Sequence, residues 1–498
     1  MPGKTNNTGT AARPLTNIKN NEVKKSSPGL HIYAPVVIVA FTALLYANAL
    51  QNNFTIFDDD AYILNNPFLK NCSLKGIIAI FSSFYSANYH PLTTLSWFLE
   101  YNIFGPDPVP FHLINVLLHL ADTWLVYKLA ERLSGNSITA AVTSILFAVH
   151  PMHVESVAWV SERKDVLYAF FYLLALLYYL RYISSGFGRR YFWYCLVLFI
   201  ASLLSKSAAV TLPVLMMLID AYKARKISIR SLAEKIPFFI LSLLFGILAI
   251  LSQKSGGALN NSVVSYGANS VFVLLSGLSF YIIWLLIPFK LAIMHSYPVV
   301  HNGLLPAIYY LSLPFLLVLT WLCTRRAAYR KEMLFGVLFF LVTLSVMLQL
   351  ISVGLALTAE RYSYVPSVGL FYIAGQWIAH MLTTANRTAV TILFTAAVAV
   401  YSLLTHKRIE TWKDDSTLFN DLIEKYPGGY YGYWLRGNME KKRRNTHNHI
   451  SFTNNIKSHQ KNSRFPLKPL PGAERILYDT PLCVYHSTDS GVSCLTAC

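Results

Sequence analysis

The sequence predicts an all-α polytopic membrane protein, and three observations carry that prediction. Hydrophobic residues fill 54% of the 498 positions and charged residues only 13%, where soluble domains carry about 25% charge. The mean hydropathy is positive, at +0.42. Apolar windows of about 20 residues, enough to cross a bilayer as a helix, recur from Leu30 to His406. Lys and Arg outnumber Asp and Glu to give a net charge of +18; in a membrane protein such a surplus marks cytoplasmic loops. No basic patch sits on a soluble domain, so nucleic acid is not an expected partner. The six cysteines are scattered without a CxxC pair, which supports neither a zinc site nor a disulfide framework.

The elements follow in order. Residues 1–28 are rich in Asn, Thr and Lys and predicted disordered. Their five basic residues place them in the cytoplasm, and their length reads as a retained anchor rather than a cleaved signal. The first span, about Ile32 to Leu50, carries the chain outward and delivers Asp58, Asp59 and Asp60 to the extracytoplasmic side. Neighbouring carboxylates repel. Such a run can bind a metal, hold a cation, act as a base with its supporting groups, or simply form a solvated turn with an Asp N-cap. The loop from Gln51 to Pro108 is too long for a connector. It holds two amphipathic segments, about Pro67–Phe84 and His90–Phe104, predicted to lie in the membrane interface.

The second span, about Val109 to Ala130, carries His112, Asn115, His119 and Asp122 on one helix face. Such a stripe serves either as interhelical glue or as cavity lining. The third span, Ser137 to Val149, ends at His150-Pro-Met-His153-Val-Glu155, and Ser161-Glu162-Arg163-Lys164-Asp165 precedes the fourth. Mixed charge against two membrane ends suggests a site. Arg181 and Arg189-Arg190 close the fourth span inside. The fifth and sixth spans flank Ser205-Lys206-Ser207, where Lys206 either holds an anionic headgroup or snorkels. The seventh covers about Ile236 to Leu251. Val271 to Pro288 is apolar enough to cross, but a crossing would put Arg325, Arg326, Arg330 and Lys331 outside. It is therefore expected to be a re-entrant or interfacial pair of segments. Spans at about Ala307–Leu322, Leu334–Val353, Val368–Leu382 and Ala389–Leu404 complete the membrane region. The count is about eleven helices, with the N-terminus inside and the C-terminus outside.

The polar clusters Asp58–Asp60, His90, His150–Glu155, Glu162–Asp165, Lys206 and Glu360-Arg361 are all predicted on the outer side. Carboxylates beside cations there suit a lipid-linked anionic substrate. Arg163, Lys206 and Arg361 can hold a phosphate, Arg by a bidentate fork, and a carboxylate can take a proton from an attacking hydroxyl.

Several motifs carry a resemblance: Phe57-Asp58-Asp59 with Asn65-Asn66; His90-Pro-Leu-Thr-Thr-Leu-Ser96; Phe111-His112 through His119; His150 to Glu155 with Arg163; Ser205-Lys206 through Pro213; and Glu360-Arg361-Tyr362-Ser-Tyr364-Val-Pro366. In this order, from about Ile32 to Asn438, they resemble the lipid-phosphosugar-dependent GT-C glycosyltransferases. The chain looks most like those that join such a core to C-terminal tetratricopeptide repeats, a group that includes protein O-mannosyltransferases. The resemblance implies a GT-C-like transmembrane catalytic domain over residues 29–406, with interfacial helices in its first outer loop. It implies inverting transfer of a mannose-like sugar from a polyprenyl- or dolichyl-phosphate donor to a hydroxyl, by analogy Ser or Thr of a protein, in the bacterial inner membrane or endoplasmic reticulum. Asp58 or Asp59 would be the base, with the order open. Arg163, Arg361 and Lys206 would hold the donor phosphate. Asp60, His90, His150, His153, Glu155 and Glu360 would support. No protein-bound metal is assigned, although Mg²⁺ or Mn²⁺ on the carboxylates stays open.

Residues 407–440 read as an extracytoplasmic linker and the start of a repeat, through Trp412 and Tyr430-Tyr431 to Arg436-Gly437-Asn438. The pattern then stops, and 441–498 lose periodicity, which predicts an irregular, disordered tail and suggests a truncation or frame error near Glu440. Two other function classes fit less well. A transporter or flippase would use the polar stripe as a pathway but predicts inverted repeats, and none is visible. An inactive scaffold would not need the acidic pair.

Overall fold

The computed structural model describes residues 30–226, 228–257, 266–298, 300, 302–325, 329–348 and 356–444. The predicted tail over 1–28 and residues 445–498 lie outside them. The chain divides into two compact units, Met1–Arg436 and Gly437–Cys498. In the second, residues 437–444 are helical, so helix runs past the expected start of the irregular tail at 441.

The described residues of the first unit are helical apart from one two-stranded ribbon, as composition predicts. Helix α1 (Leu30–Tyr46) is followed by a 3-10 turn and the loop that holds the acidic run. Next come α2 (Leu74–Ser82) and α3 (Pro91–Phe104). The first amphipathic segment is shorter than expected, because helix begins only where Ser73 caps it by accepting from the Gly76 amide. Helices α4 (Pro108–Ser134) and α5 (Ser137–Val149) cross back and forth, joined by Gly135 at φ +68, a left-handed cap that favours glycine. A 54° bend then leads into the short α6 (Val154–Ala158). Helices α7 (Arg163–Ser184), α8 (Arg189–Ser205) and α9 (Leu212–Tyr222) continue the bundle, followed by α10 (Ile229–Ala233) and α11 (Ile236–Ser255). Five described helical stretches are long and apolar enough to cross a membrane, or six with the bent α5–α6 pair, and shorter apolar helices cover Ser207–Tyr222, Ser270–Leu286 and Ala307–Leu322. This is an integral membrane protein.

Helix α12 (Ser270–Leu286) is one continuous helix rather than the expected pair of segments. Strand β1 (His295–Ser296) pairs antiparallel with β2 (Ala356–Thr358) across α13 (Ala307–Tyr310), α14 (Ser312–Arg325) and α15 (Arg330–Leu344). Helices α16 (Ser367–Thr384), α17 (Arg387–Thr411) and α18 (Asp415–Lys425) complete the unit. Where α15 crosses α16, a Cβ on Gly369 would lie 2.4 Å from the Gly336 carbonyl oxygen, so the helices approach backbone to backbone.

Three members of the polar stripe of α4, Asn115, His119 and Asp122, act as interhelical glue. Asn115 Nδ2 donates to the carbonyls of Val157 (3.2 Å) and Trp159 (3.1 Å). His119 Nδ1 lies 2.8 Å from the Tyr364 hydroxyl, which is 3.0 Å from Asp122 Oδ2. All three side chains are fully buried. These bonds tie α4 to the segments that carry the site.

Candidate functional site

The site forms where the loop after α1 meets the N-terminal ends of α6 and α7 and the turn at Glu360–Ser363. The acidic run is clamped from two sides. Phe57 packs on Trp159, which stacks on Trp412 at 5.2 Å. The Asn53 amide donates to the Lys413 carbonyl (2.9 Å) and the Ile56 amide to Asp415 Oδ1 (2.8 Å). One π-helical turn, Asp60–Leu64, follows at once; such turns recur at functional sites.

This geometry gives the two leading carboxylates different tasks. Asp59 is buried and saturated. Its Oδ2 accepts from the Thr55 amide (2.9 Å) and hydroxyl (3.2 Å), and its Oδ1 from the Ser161 amide (2.8 Å) and hydroxyl. Burial raises its pKa to about 6 against those hydrogen bonds. It staples the loop to the start of α7. Asp58 is half-buried, and its side chain has no hydrogen bond among the described residues. Burial raises its pKa, while Lys164 and Arg361 pull it down. Asp60 follows as the first residue of the π turn.

Lys164 and Arg361 face this carboxylate, and Lys206 joins them at Glu162. Glu162 gathers them: its Oε1 lies 3.1 Å from Lys164 Nζ and 3.1 Å from Arg361 Nε, and its Oε2 3.7 Å from Lys206 Nζ. Glu155 accepts from the Arg361 amide (2.9 Å) and pairs with its Nη1. Asp165 pairs with Lys206 and accepts from Ser156 (3.2 Å). Aromatic rings wall the cations: Lys164 lies over Tyr62 (5.1 Å), and Arg361 over Tyr362 (4.9 Å) and Trp159 (5.5 Å). His90 stands at the rim, half-buried, its pKa driven down to about 3 by burial and by Lys164 and Lys206.

Of the residues predicted from sequence, Asp58, Asp59, Arg361, Lys206, Glu155 and His90 meet here. Arg163 does not. Its fork is spent on Glu100, on the Phe111 carbonyl (2.7 Å) and on Asn115, and it is fully buried. Arg163, expected on the donor phosphate, forms an ion pair with Glu100 that docks α3 onto α4 and α7. His150 and His153 are also structural. His150 Nε2 lies 3.3 Å from the Leu285 carbonyl, and His153 bridges the Phe147 carbonyl (2.7 Å) and the Ser367 hydroxyl (3.1 Å). Glu360 turns away to Arg408 (3.1 Å), and burial raises its pKa. Sequence reasoning gave Lys164 no role, because it stands beside the more conspicuous Arg163; it also passed over Glu100. The signal at Glu100 was present: a lone acid amid the apolar residues of α3 needs a buried cation. Among the described residues no group of three or more His, Cys, Asp and Glu side chains is arranged to hold a metal ion.

Residues 90–253, under half of the chain, match a family described as dolichyl-phosphate-mannose-protein mannosyltransferase. The match spans His90, Arg163, Lys164 and Lys206 but neither Asp58 nor Arg361. Among relatives, protein O-mannosyl-transferase tmtc2 of Xenopus laevis is 35% identical over 161 residues, 30% of this chain and 19% of that protein. Mouse (Mus musculus) protein O-mannosyl-transferase TMTC4 is 30% identical over 230 residues, 40% of this chain and 31% of that protein. The chain thus spans less than a third of the length of the relatives it matches. A solved structure, ArnT from Cupriavidus metallidurans bound to undecaprenyl phosphate, aligns at a TM-score of 0.40 with 13% identity, over 78% of this chain and 77% of that one.

Proposed function

We propose that this chain is an inverting glycosyltransferase that moves a mannose-like sugar from a polyprenyl- or dolichyl-phosphate donor to a hydroxyl, Ser or Thr of a protein, at the extracytoplasmic membrane face. The observation that carries this reading is the Asp58 carboxylate, without a hydrogen-bond partner among the described residues, facing Lys164 and Arg361. The matched mannosyltransferase family and the charge of the site support it. In the proposed step Asp58 takes the proton from the acceptor hydroxyl. The acceptor oxygen bonds to the anomeric carbon, and the bond from that carbon to the phosphate oxygen breaks. The electron pair leaves with the lipid phosphate.

Arg361, Lys206 and Lys164 receive that charge. Glu155, Glu162 and Asp165 hold them in place before substrate arrives, so little reorganisation is needed at the moment of reaction. Each cation keeps N–H donors beyond those its ion pairs use. Asp59, His90 and Glu155 position; Arg163 and Glu360 brace the scaffold. Residues 415–425 and 430–436 are helical, and Tyr431 lies within electrostatic reach of Asp58. The acceptor is proposed to approach along that side.

Sugar transfer from a radiolabelled polyprenyl-phosphate mannose, measured in membranes at matched expression, tests the reading. Asp58→Asn is expected to lose about 10²–10⁴-fold in turnover with its melting temperature unchanged. Equal turnover of wild type and Asp58→Asn would remove Asp58 from the chemistry.

A further inference from the structure

A second polar site lies at the far end of the bundle. Helix α7 has 22 residues, about 33 Å at 1.5 Å per residue. Its first residue, Arg163, braces the candidate active site, and Arg181 lies in its last turn. There a cavity of about 510 Å³ opens between α4, α7 and α8. Lys128, Arg132, Arg181 and Arg190 line it. Among the described residues only Lys128 of these four has a carboxylate within ion-pair distance, Glu131 at 3.1 Å. Three exposed arginines, Arg132, Arg181 and Arg190, therefore converge on the cavity with no carboxylate within ion-pair distance among the described residues.

The arginines are held in place. Tyr191 stands between Arg181 (5.2 Å from its ring centre) and Arg190 (4.7 Å), and its hydroxyl accepts from Arg190 Nη2 at 2.8 Å. Two planar forks on one aromatic ring, with most of their N–H groups unspent, match the oxygens of a phosphate. The remaining wall includes Leu174, Leu177 and the half-exposed Tyr194. Apolar and aromatic lining beside a cationic rim is the environment of a lipid headgroup whose acyl chains stay in the bilayer. By the positive-inside rule this end faces the cytoplasm, opposite the proposed chemistry.

We infer that this cavity binds a phosphate ester, gripped by Arg181 and Arg190 and neutralised by Arg132, at a site separate from the catalytic cluster. A lipid headgroup and a soluble phosphate share that chemistry, and the experiment separates them. The full chain is analysed by native mass spectrometry from phosphatidylcholine nanodiscs that hold phosphatidic acid, and from phosphatidylcholine nanodiscs with inorganic phosphate in the buffer. Wild type is compared with Arg181→Gln/Arg190→Gln and with Arg189→Gln/Arg230→Gln, which removes two exposed charges outside the cavity. All three proteins are first required to melt alike in phosphatidylcholine alone.

Wild type is expected to retain phosphatidic acid. The cavity pair is expected to retain about tenfold less, and the outer pair as much as wild type. Retention of inorganic phosphate with the same variant pattern, and no phosphatidic acid, would keep the site and assign it a soluble ligand. No retention in either arm, or equal losses in both variant pairs, would overturn the inference.

Discussion

At the scale of the residue, two adjacent aspartates diverge because their surroundings do. Asp59 meets four donors from Thr55 and Ser161. In Asp59→Asn an amide N–H₂ would face donors where an oxygen now accepts. That change is expected to cost about 1–3 kcal/mol, read as a fall in the denaturation midpoint, whereas Asp58→Asn leaves stability alone and removes turnover. A separate test concerns pH. The base must be ionised to act, so activity falls as pH drops through the Asp58 pKa, and that acidic limb lies above the ordinary aspartate range because burial dominates. Lys164 is the largest influence pulling the pKa down. Lys164→Gln is therefore expected to move the acidic limb of kcat/KM to higher pH. A limb that stays put, or moves down, would show that Asp58 is not the titrating base.

Among the elements, α3 is held by one buried ion pair. The Glu100–Arg163 fork, with Asn115 and the Phe111 carbonyl completing it, fixes this helix against α4 and α7. Breaking such a pair leaves an unpaired charge in a dry site and costs about 3–5 kcal/mol. Glu100→Ala is expected to show that loss in thermal melts, and to lower apparent kcat in proportion to the folded fraction with KM for the donor unchanged. A specific rise in donor KM in Arg163→Ala at full folding would instead restore Arg163 to the phosphate site.

For the whole molecule, the candidate site and the arginine cavity lie at opposite ends of α7, so the proposed topology has a direct readout. Cys72 is native and exposed in the first loop. An impermeant maleimide is expected to label it from the lumenal or periplasmic side. In a background with all six native cysteines replaced by Ser, Ser184→Cys, at the exposed end of α7, is expected to label from the cytoplasmic side only, and a chain keeping Cys72 alone from the opposite side. Labelling of both from one side would reject the crossing of α7.

The sequence by itself determined the membrane class, most of the helical elements and the acidic run of the first loop, because hydropathy and helix periodicity are local properties of the chain. Tertiary structure alone decided how those charges pair. Arg163 and Lys164 are neighbours on one helix turn, yet one is consumed by Glu100 from α3 and the other reaches Glu162 beside Asp58. The helix rotates successive side chains by about 100°, and residues distant in sequence stand in those two directions. The same physics separates Asp58 from Asp59: Ser161, 102 positions away, joins the nearby Thr55 in saturating the second aspartate.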